Sequence, residues 1–492
     1  LGKEYIIASW TDIGSNTNPG GQFLSSYTSC VSPYDKTKVR FTGGGPSFSK
    51  TTTGIGVGES KTYNMNRGDV LLMASIGSYS DLTGSKFTAN KNVTAISGNF
   101  CSYVPEFTPA CDFMIEQELP TFTWGTEYHV TPIYKREKNS WIKIFAKQSG
   151  TYIYRDGVLF GELTKGGGAR EGECYLSQRV LDDTQEPRPV VISSNKPISV
   201  TQYNPGMSDD GVPSDPFQLV LTPIEQFQTE IIFNTPGYQG DGFQENYINI
   251  VYEGTPEGTI PDDFEFAKVE DGGVFNWKKM RDVYPDIGLP FSIEIRGKLY
   301  YAKTITLPGD GVYKLRSSTP FAAYAYGFSN WDSYGFPTSV ALGDLEKPDT
   351  VAPICEPMID CFGVVRDARR GEKPEIMVTD MPDDEEFRSN MATVIMLPFP
   401  ESFNFRFDKQ SFVPGESRDV FWTASVVDLT KEARLITLYR DRRGNQKMDT
   451  INYYPYKGKI VLVDEENPEG DFGTLPKGDT KTLDYKIVNE SE

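Results

Sequence analysis

Thr151-Tyr152-Ile153-Tyr154-Arg155-Asp156-Gly157-Val158-Leu159-Phe160 reads as a β-hairpin. Two β-rich runs, Tyr152–Tyr154 and Val158–Phe160, flank Asp156-Gly157, a pair that tolerates the positive φ angles of a tight hairpin turn. The same pattern extends in both directions. Short β-rich runs occur at Glu4–Ser9, Lys38–Thr42, Val70–Ala74, Val93–Ser97, Trp141–Ala146, Pro189–Ser193, Ile198–Tyr203, Glu230–Asn234, Tyr247–Tyr252, Phe291–Ile295 and Val312–Leu315. Most are bordered by Gly, Pro, Asn or Asp, the residues that end strands and make turns. Helix signals are few: Ile224–Phe227 and Asp384–Asn390 suffice for a turn or two each. The expected fold class is all-β, with β-sandwich domains in tandem. Aromatics at 13%, with 46 Gly and 33 Pro, fit that class. A length of 492 residues exceeds one ordinary core and predicts about three to five domains.

A weak internal repeat organises the first two-thirds of the chain. Thr88-Ala89-Asn90-Lys91-Asn92-Val93-Thr94-Ala95-Ile96 is similar to Ser193-Ser194-Asn195-Lys196-Pro197-Ile198-Ser199-Val200 and to Ser317-Ser318-Thr319-Pro320-Phe321-Ala322-Ala323-Tyr324. Each is a polar turn feeding an apolar strand. The spacing of more than a hundred residues suits a sandwich, not a solenoid rung. Three related β units are therefore expected, at approximately 1–125, 126–225 and 226–345. The acidic, proline-bearing stretch 346–353 reads as a linker. Residues 354–458 form a further β-rich block with the pattern of an immunoglobulin-like sandwich. Residues 459–492 read as the start of another module, too short to close a sandwich. Its runs Ile460–Val463 and Thr482–Val488 would be completed by later residues or by a neighbouring subunit.

Charge and residue types exclude several functions. A formal net charge of −19 repels phosphate backbones, so no nucleic acid is expected as a partner. No apolar run reaches the ~18 residues of a membrane helix, so no membrane insertion is expected. His129 is the single histidine, in the strand-like Glu127-Tyr128-His129-Val130-Thr131. It is expected on a strand face, and no catalytic residue is assigned. The acidic pairs Asp209-Asp210, Asp262-Asp263 and Asp383-Asp384 read as solvated loops, which leaves a two-carboxylate glycoside hydrolase as the least favoured function. No cofactor is required. Bound calcium is the ion an acidic, loop-rich chain leaves room for, although Asp441-Arg442-Arg443-Gly444-Asn445-Gln446 lacks the acidic ladder of an EF-hand loop. Gly43-Gly44-Gly45 and Gly166-Gly167-Gly168 lack the Gly-Lys-Ser/Thr ending of a phosphate loop and read as mobile hairpin tips.

Cys101 and Cys111 lie ten positions apart, and Cys355 and Cys361 six apart. Each pair is expected to close a short loop as a disulfide, which points to an extracellular or cell-surface location. Whether Cys30 and Cys174 pair stays open. Tyr324, Tyr326, Phe328, Trp331, Tyr334 and Phe336 alternate, which predicts core packing. Tyr326, Trp331 and Tyr334 are the members that would form a protein- or sugar-binding face.

A collinear series of motifs covers the first 345 residues: Leu1-Gly2-Lys3-Glu4-Tyr5-Ile6-Ile7, Asp81-Leu82-Thr83-Gly84, Ser97-Gly98-Asn99-Phe100-Cys101, Cys111-Asp112, Trp124-Gly125, Asn195-Lys196-Pro197, Asp215-Pro216-Phe217, Pro223-Ile224-Glu225-Gln226-Phe227 and Asp332-Ser333-Tyr334-Gly335-Phe336-Pro337. This series resembles the N-terminal region of the IgGFc-binding protein family, a module also found in bacterial surface proteins. The resemblance implies an extracellular β protein of adhesion or matrix structure, and it supports the Cys101–Cys111 pairing. These 492 residues hold no cysteine-dense von Willebrand type D repeat and no Gly-Asp-Pro-His site, so immunoglobulin binding does not transfer. Asp349–Asp360, Val378–Pro382 and Arg388-Ser389-Asn390 are similar to immunoglobulin-like segments of large secreted bacterial proteins. The expectation is a structural or adhesive protein whose partners are other copies of itself or other surface proteins. It would be a subunit of a surface filament, sheath or matrix. The alternative is a glycan- or protein-binding module of a larger secreted protein.

Overall fold

In the computed structural model of the chain, strands Thr151–Arg155 and Val158–Leu163 pair antiparallel around Asp156 and Gly157. These two residues have φ of 49° and 78°, the backbone of a two-residue turn whose twist matches its strands. The structure describes residues 1–13, 24–237, 243–255, 259–270, 274–329, 332–338, 342–347, 349–356, 375–385, 387–455, 458–462 and 485–489. The chain divides into two compact units, Leu1–Ala341 and Leu342–Glu492. Pairing is antiparallel throughout the named strands, and the described residues contain only single-turn helices, such as Met207–Asp210 and Met280–Val283. None of the described helices is long and apolar enough to cross a membrane.

The first unit repeats one pairing plan three times, around strands Lys86–Tyr103, Val190–Asn204 and Val312–Ser329. In the first repeat, the beginning of Lys86–Tyr103 pairs with Gly2–Ile6 and Thr37–Thr42, and Thr37–Thr42 pairs with Ser60–Met65. Its end pairs with Ser26–Val31 and Cys111–Gln117, and Val70–Ala74 lies outside Ser26–Val31. One strand thus serves two sheet layers. Val39, Phe41 and Phe87 of one layer pack with Cys30, Met73 and Ala95 of the other. In the second repeat, Val190–Asn204 pairs with Gly125–Val130 and Thr151–Arg155, then with Trp141–Ala146 and Phe217–Val220. Val312–Ser329 does the same with Gln228–Asn234 and Glu265–Glu270, then with Glu245–Glu253 and Asp332–Pro337. The three similar sequence pieces lie where each long strand changes layers. Polar residues such as Asn90 to Asn92 interrupt the apolar pattern there, which is why each long strand reads as short runs.

The repeats are fused by burial. Tyr324, Tyr326 and Phe328 of the third share a core with Ile142, Val190 and Val200 of the second. Trp10 and Met114 of the first meet Tyr203 and Trp141 of the second. The two triglycine stretches belong to the first-to-second contact and are not free tips. A Cβ on Gly44 would stand 2.3 Å from the Gly84 backbone, and the Gly168 amide donates to the Gly84 carbonyl at 2.7 Å. Glycine is needed there because backbones approach without room for a side chain. Phe291–Ile295 is not a strand. Its Phe291 and Ile295 are core residues, and the strand follows at Tyr300–Thr306. Ile224–Gln226 is a single 3₁₀ turn, and Asp384–Asn390 contains only a turn among its described residues.

The second unit is a sandwich of two sheets. One orders Ile354–Glu356, Glu375–Thr379, Asp419–Val426 and Phe405–Lys409, and the other Met391–Met396, Ala433–Asp441 and Gln446–Tyr453. Alternation in Asp419–Val426 and Ala433–Asp441 aims Trp422, Leu435 and Tyr439 inward, with Trp422 and Tyr439 rings 6.3 Å apart. The stretch read as a linker is anchored: Asp349 is buried and accepts from the Ser389 amide at 2.7 Å. Gly458–Leu462 pairs with Tyr485–Asn489.

Candidate binding surface

Alternation normally turns one face of a strand to the core and the other to water. Val70-Leu71-Leu72-Met73-Ala74 is apolar on both faces, and so is Phe113-Met114-Ile115. Met73 and Met114 point inward and are buried. Val70, Leu72, Phe100, Phe113 and Ile115 point outward and are between 48% and 62% exposed. The registers place these residues on one sheet face. Leu72 lies opposite Ser29, Tyr27 opposite Gly98, and Gly98 opposite Ile115. The outward positions of Val70–Ala74, Ser26–Val31, Thr94–Phe100 and Phe113–Gln117 carry no charged side chain, on a chain of net charge −19. Apolar faces of this kind on otherwise charged proteins mark sites of association.

Tyr27 organises the centre of the face. It lies across Gly98, where a Cβ would meet the Met114 carbonyl oxygen at 1.8 Å and the Tyr27 Oη at 3.0 Å. Its hydroxyl donates to that carbonyl at 3.2 Å. Phe100 and Phe113 flank it, with ring centroids 5.0 and 5.9 Å away. Covering a strand glycine with a cross-strand aromatic pins the register. The Cys101–Cys111 disulfide ties the two strands where their register shifts, with Cα atoms 5.1 Å apart. Beyond it, the loop carries Phe107, exposed, with its ring 5.4 Å from Tyr79.

Behind the face the ionisable groups are interior. Lys143 reaches from the second repeat into the first. Its Nζ donates to the Ser9 carbonyl at 2.6 Å, to Thr83 Oγ1 at 2.9 Å and to Asp81 Oδ2 at 3.1 Å. The ammonium also lies 4.4 Å from the Trp10 ring centroid. Glu118 accepts from the Ala8 amide at 2.6 Å and from Ser97. Burial pushes its carboxyl up to about 8, against the pull of those two hydrogen bonds. The Lys143 contacts join the second repeat to the first, and those of Glu118 brace the first repeat internally.

His129 lies within the strand Gly125–Val130, fully buried. Phe291, Tyr300 and Phe227 surround it at 4.5, 4.7 and 5.8 Å between ring centroids, and neither ring nitrogen has a hydrogen-bond partner. Burial depresses its pKa to about 3. An imidazole without a partner carries no proton relay.

The other expected residues fall as follows. Tyr326 is a core residue, so it presents no face: its Oη donates to Asn249 Oδ1 at 2.9 Å and accepts from the Tyr134 amide at 3.1 Å. Tyr334 is partly buried and donates to Asn246 at 2.6 Å, while Trp331 lies outside the described residues. Cys355 is a free thiol buried beside Trp422 and Tyr439, and its expected partner Cys361 lies outside the described residues. Cys30 and Cys174 are separate buried thiols. Asp209-Asp210 is no solvated loop: Asp210 pairs with the buried Arg136 at 2.9 Å, and Asp209 with Arg179 at 2.6 Å. Asp262, Asp263, Asp383 and Asp384 are exposed, as expected of loops. Among the described residues, a carboxylate group close enough to share a cation lies in the second unit: Asp349, Asp380 and Asp441. The exposed sheet face has a sequence signal, namely apolar residues at both parities of Val70–Ala74 and Phe113–Ile115. Alternating aromatics near Tyr326 draw the eye first.

No solved structure matches this chain. Among curated proteins, human IgGFc-binding protein is 27% identical over 204 residues, 40% of this chain and 4% of that protein. The chain therefore spans only a small part of that relative's length. The family described as IgGFc binding protein matches residues 1–327, the three-repeat unit almost in full. By that match, the chain belongs to the IgGFc-binding protein family.

Proposed function

We propose that this chain is part of an extracellular structural or adhesive protein, and that the apolar face of the first repeat joins copies of the chain to one another. The observation that carries this reading is the charge-free sheet face formed by Phe100, Phe113, Ile115, Leu72 and Val70. Its cross-linked hairpin supports a role outside the cell. Val70–Ala74 ends its layer and pairs as a strand only with Ser26–Val31; the Ala74 end of its outer edge is capped by the Thr52 amide at 2.9 Å, and the stretch from Val70 to Met73 adds a second means of association. Family membership supports an extracellular setting. A non-enzymatic role is consistent with the buried, partnerless His129. A protein partner suits flat, aromatic, aliphatic surface better than a sugar, which needs polar groups beside its rings.

Sedimentation equilibrium tests the reading. The chain is expected to self-associate in the micromolar range. The triple variant Phe100→Ser, Phe113→Ser, Ile115→Ser is expected to stay monomeric with little change in its unfolding midpoint. A wild-type chain that remains monomeric at the highest soluble concentration, or a variant that associates equally, overturns it.

A further inference from the structure

Three carboxylates converge at one end of the second unit's sandwich. Asp380 follows strand Glu375–Thr379 of one sheet, Asp441 ends strand Ala433–Asp441 of the other, and Asp349 lies in the segment leading into Ile354–Glu356. Carboxylate oxygens of the three lie within 4.8 Å of one another, and all three residues are buried. Among the described residues, no lysine or arginine forms an ion pair with any of them.

Two of the three are oriented by donors. Asp349 Oδ2 accepts from the Ser389 amide at 2.7 Å and Oδ1 from the Val351 amide at 3.0 Å. Asp441 Oδ1 accepts from the amides of Gly444 and Asn445 at 2.6 and 2.9 Å, and Oδ2 from Asn445 Nδ2 at 2.8 Å. Asp380 differs. It is 0% exposed, and neither Oδ1 nor Oδ2 has a partner at full hydrogen-bond geometry; the backbone amides of Met381 and Asn390 are the donors that act on it. A fully buried carboxylate with no well-formed hydrogen bond is unfavourable unless something else supplies positive charge. Burial and the neighbouring carboxylates raise Asp380 to about 7 and Asp441 to about 6.

We propose that Asp349, Asp380 and Asp441 bind a calcium ion, with Asp380 as the ligand that has no other role. Oxygen-only donors select a hard cation and disfavour zinc, which prefers nitrogen and sulfur. Calcium fits better than magnesium. Magnesium keeps several waters in a strict octahedron, whereas calcium accepts irregular, protein-rich oxygen shells and bidentate carboxylates. The ion would tie both sheets and the entering segment together, so its binding stabilises this unit.

Isothermal titration and thermal unfolding of the full chain, stripped with chelator and then given calcium or magnesium chloride, test the site. Calcium at about a hundredfold over its dissociation constant is expected to raise the second unit's unfolding midpoint by roughly 10 °C. Asp380→Asn is expected to fold without calcium and to lose the calcium response, with affinity down at least about tenfold. Absence of wild-type binding at about 5 mM calcium, the weak end for extracellular modules, overturns the proposal. So does an equal response to magnesium, or an unchanged response in Asp380→Asn. Should that variant not fold, the wild-type titration decides alone.

Discussion

His129 packs against Phe227, Phe291 and Tyr300 with no polar partner, and burial holds its pKa near 3. An unfolded histidine titrates near ~6.5. Below that value the unfolded chain binds a proton that the native chain refuses. The stability this residue contributes is therefore full above about pH 6.5 and is lost as pH falls toward 3. Each pH unit in that window costs about 1.4 kcal/mol. Between pH 6.5 and 5, wild type should lose about 2 kcal/mol more than His129→Leu in denaturant unfolding. Equal losses would show that the imidazole is accessible to protons in the fold. The sequence placed this residue on a strand, because Glu127–Thr131 has a strand-like pattern, but it did not say that the side chain faces a core. It could not reveal the neighbouring rings, which come from about 100 to 170 residues downstream.

At the level of elements, the Cys101–Cys111 bridge closes a short loop at the end of two strands that bear the exposed face. Replacing both cysteines with serine should lower stability by about 2–3 kcal/mol, the chain-entropy value for so short a loop. It should also speed amide exchange in Cys111–Gln117 relative to Thr37–Thr42. An unchanged unfolding midpoint would show that the bridge constrains nothing. Asp156-Gly157 was legible because its turn chemistry is local. The long strands were not, because Lys86–Tyr103 satisfies its backbone against different strands on either side of Asn90–Asn92, and such partners are set by tertiary pairing. The triglycine stretches misled for a related reason. Glycine signals both free turns and close backbone approach, and only the fold distinguishes them. The exposed face was partly legible: Val70–Ala74, Val93–Ser97 and the disulfide could be read, whereas Ser26–Val31 and Cys111–Gln117 were not read as strands, and alternation does not say which apolar side is left uncovered.

Across the first unit, Lys143 is a strut between two repeats. It is buried with Asp81, Thr83 and the Ser9 carbonyl, so removing its charge leaves Asp81 uncompensated in the interior. Lys143→Met should cost about 3–5 kcal/mol, and adding Asp81→Asn should recover most of that loss. A single-variant loss within about 1 kcal/mol of zero would mean that the aromatic contacts alone hold the repeats together. With the three repeats fused through shared cores, the first unit supports its charge-free sheet face. The central claim is that this face joins copies of the chain. Hydrogen–deuterium exchange, compared between dilute and concentrated protein, tests it most directly. Slowed exchange on concentration confined to Val70–Ala74, Thr94–Phe100 and Cys111–Gln117 is the predicted result. Slowing confined to Asp332–Pro337 or to the second unit, or no concentration dependence at all, would contradict it.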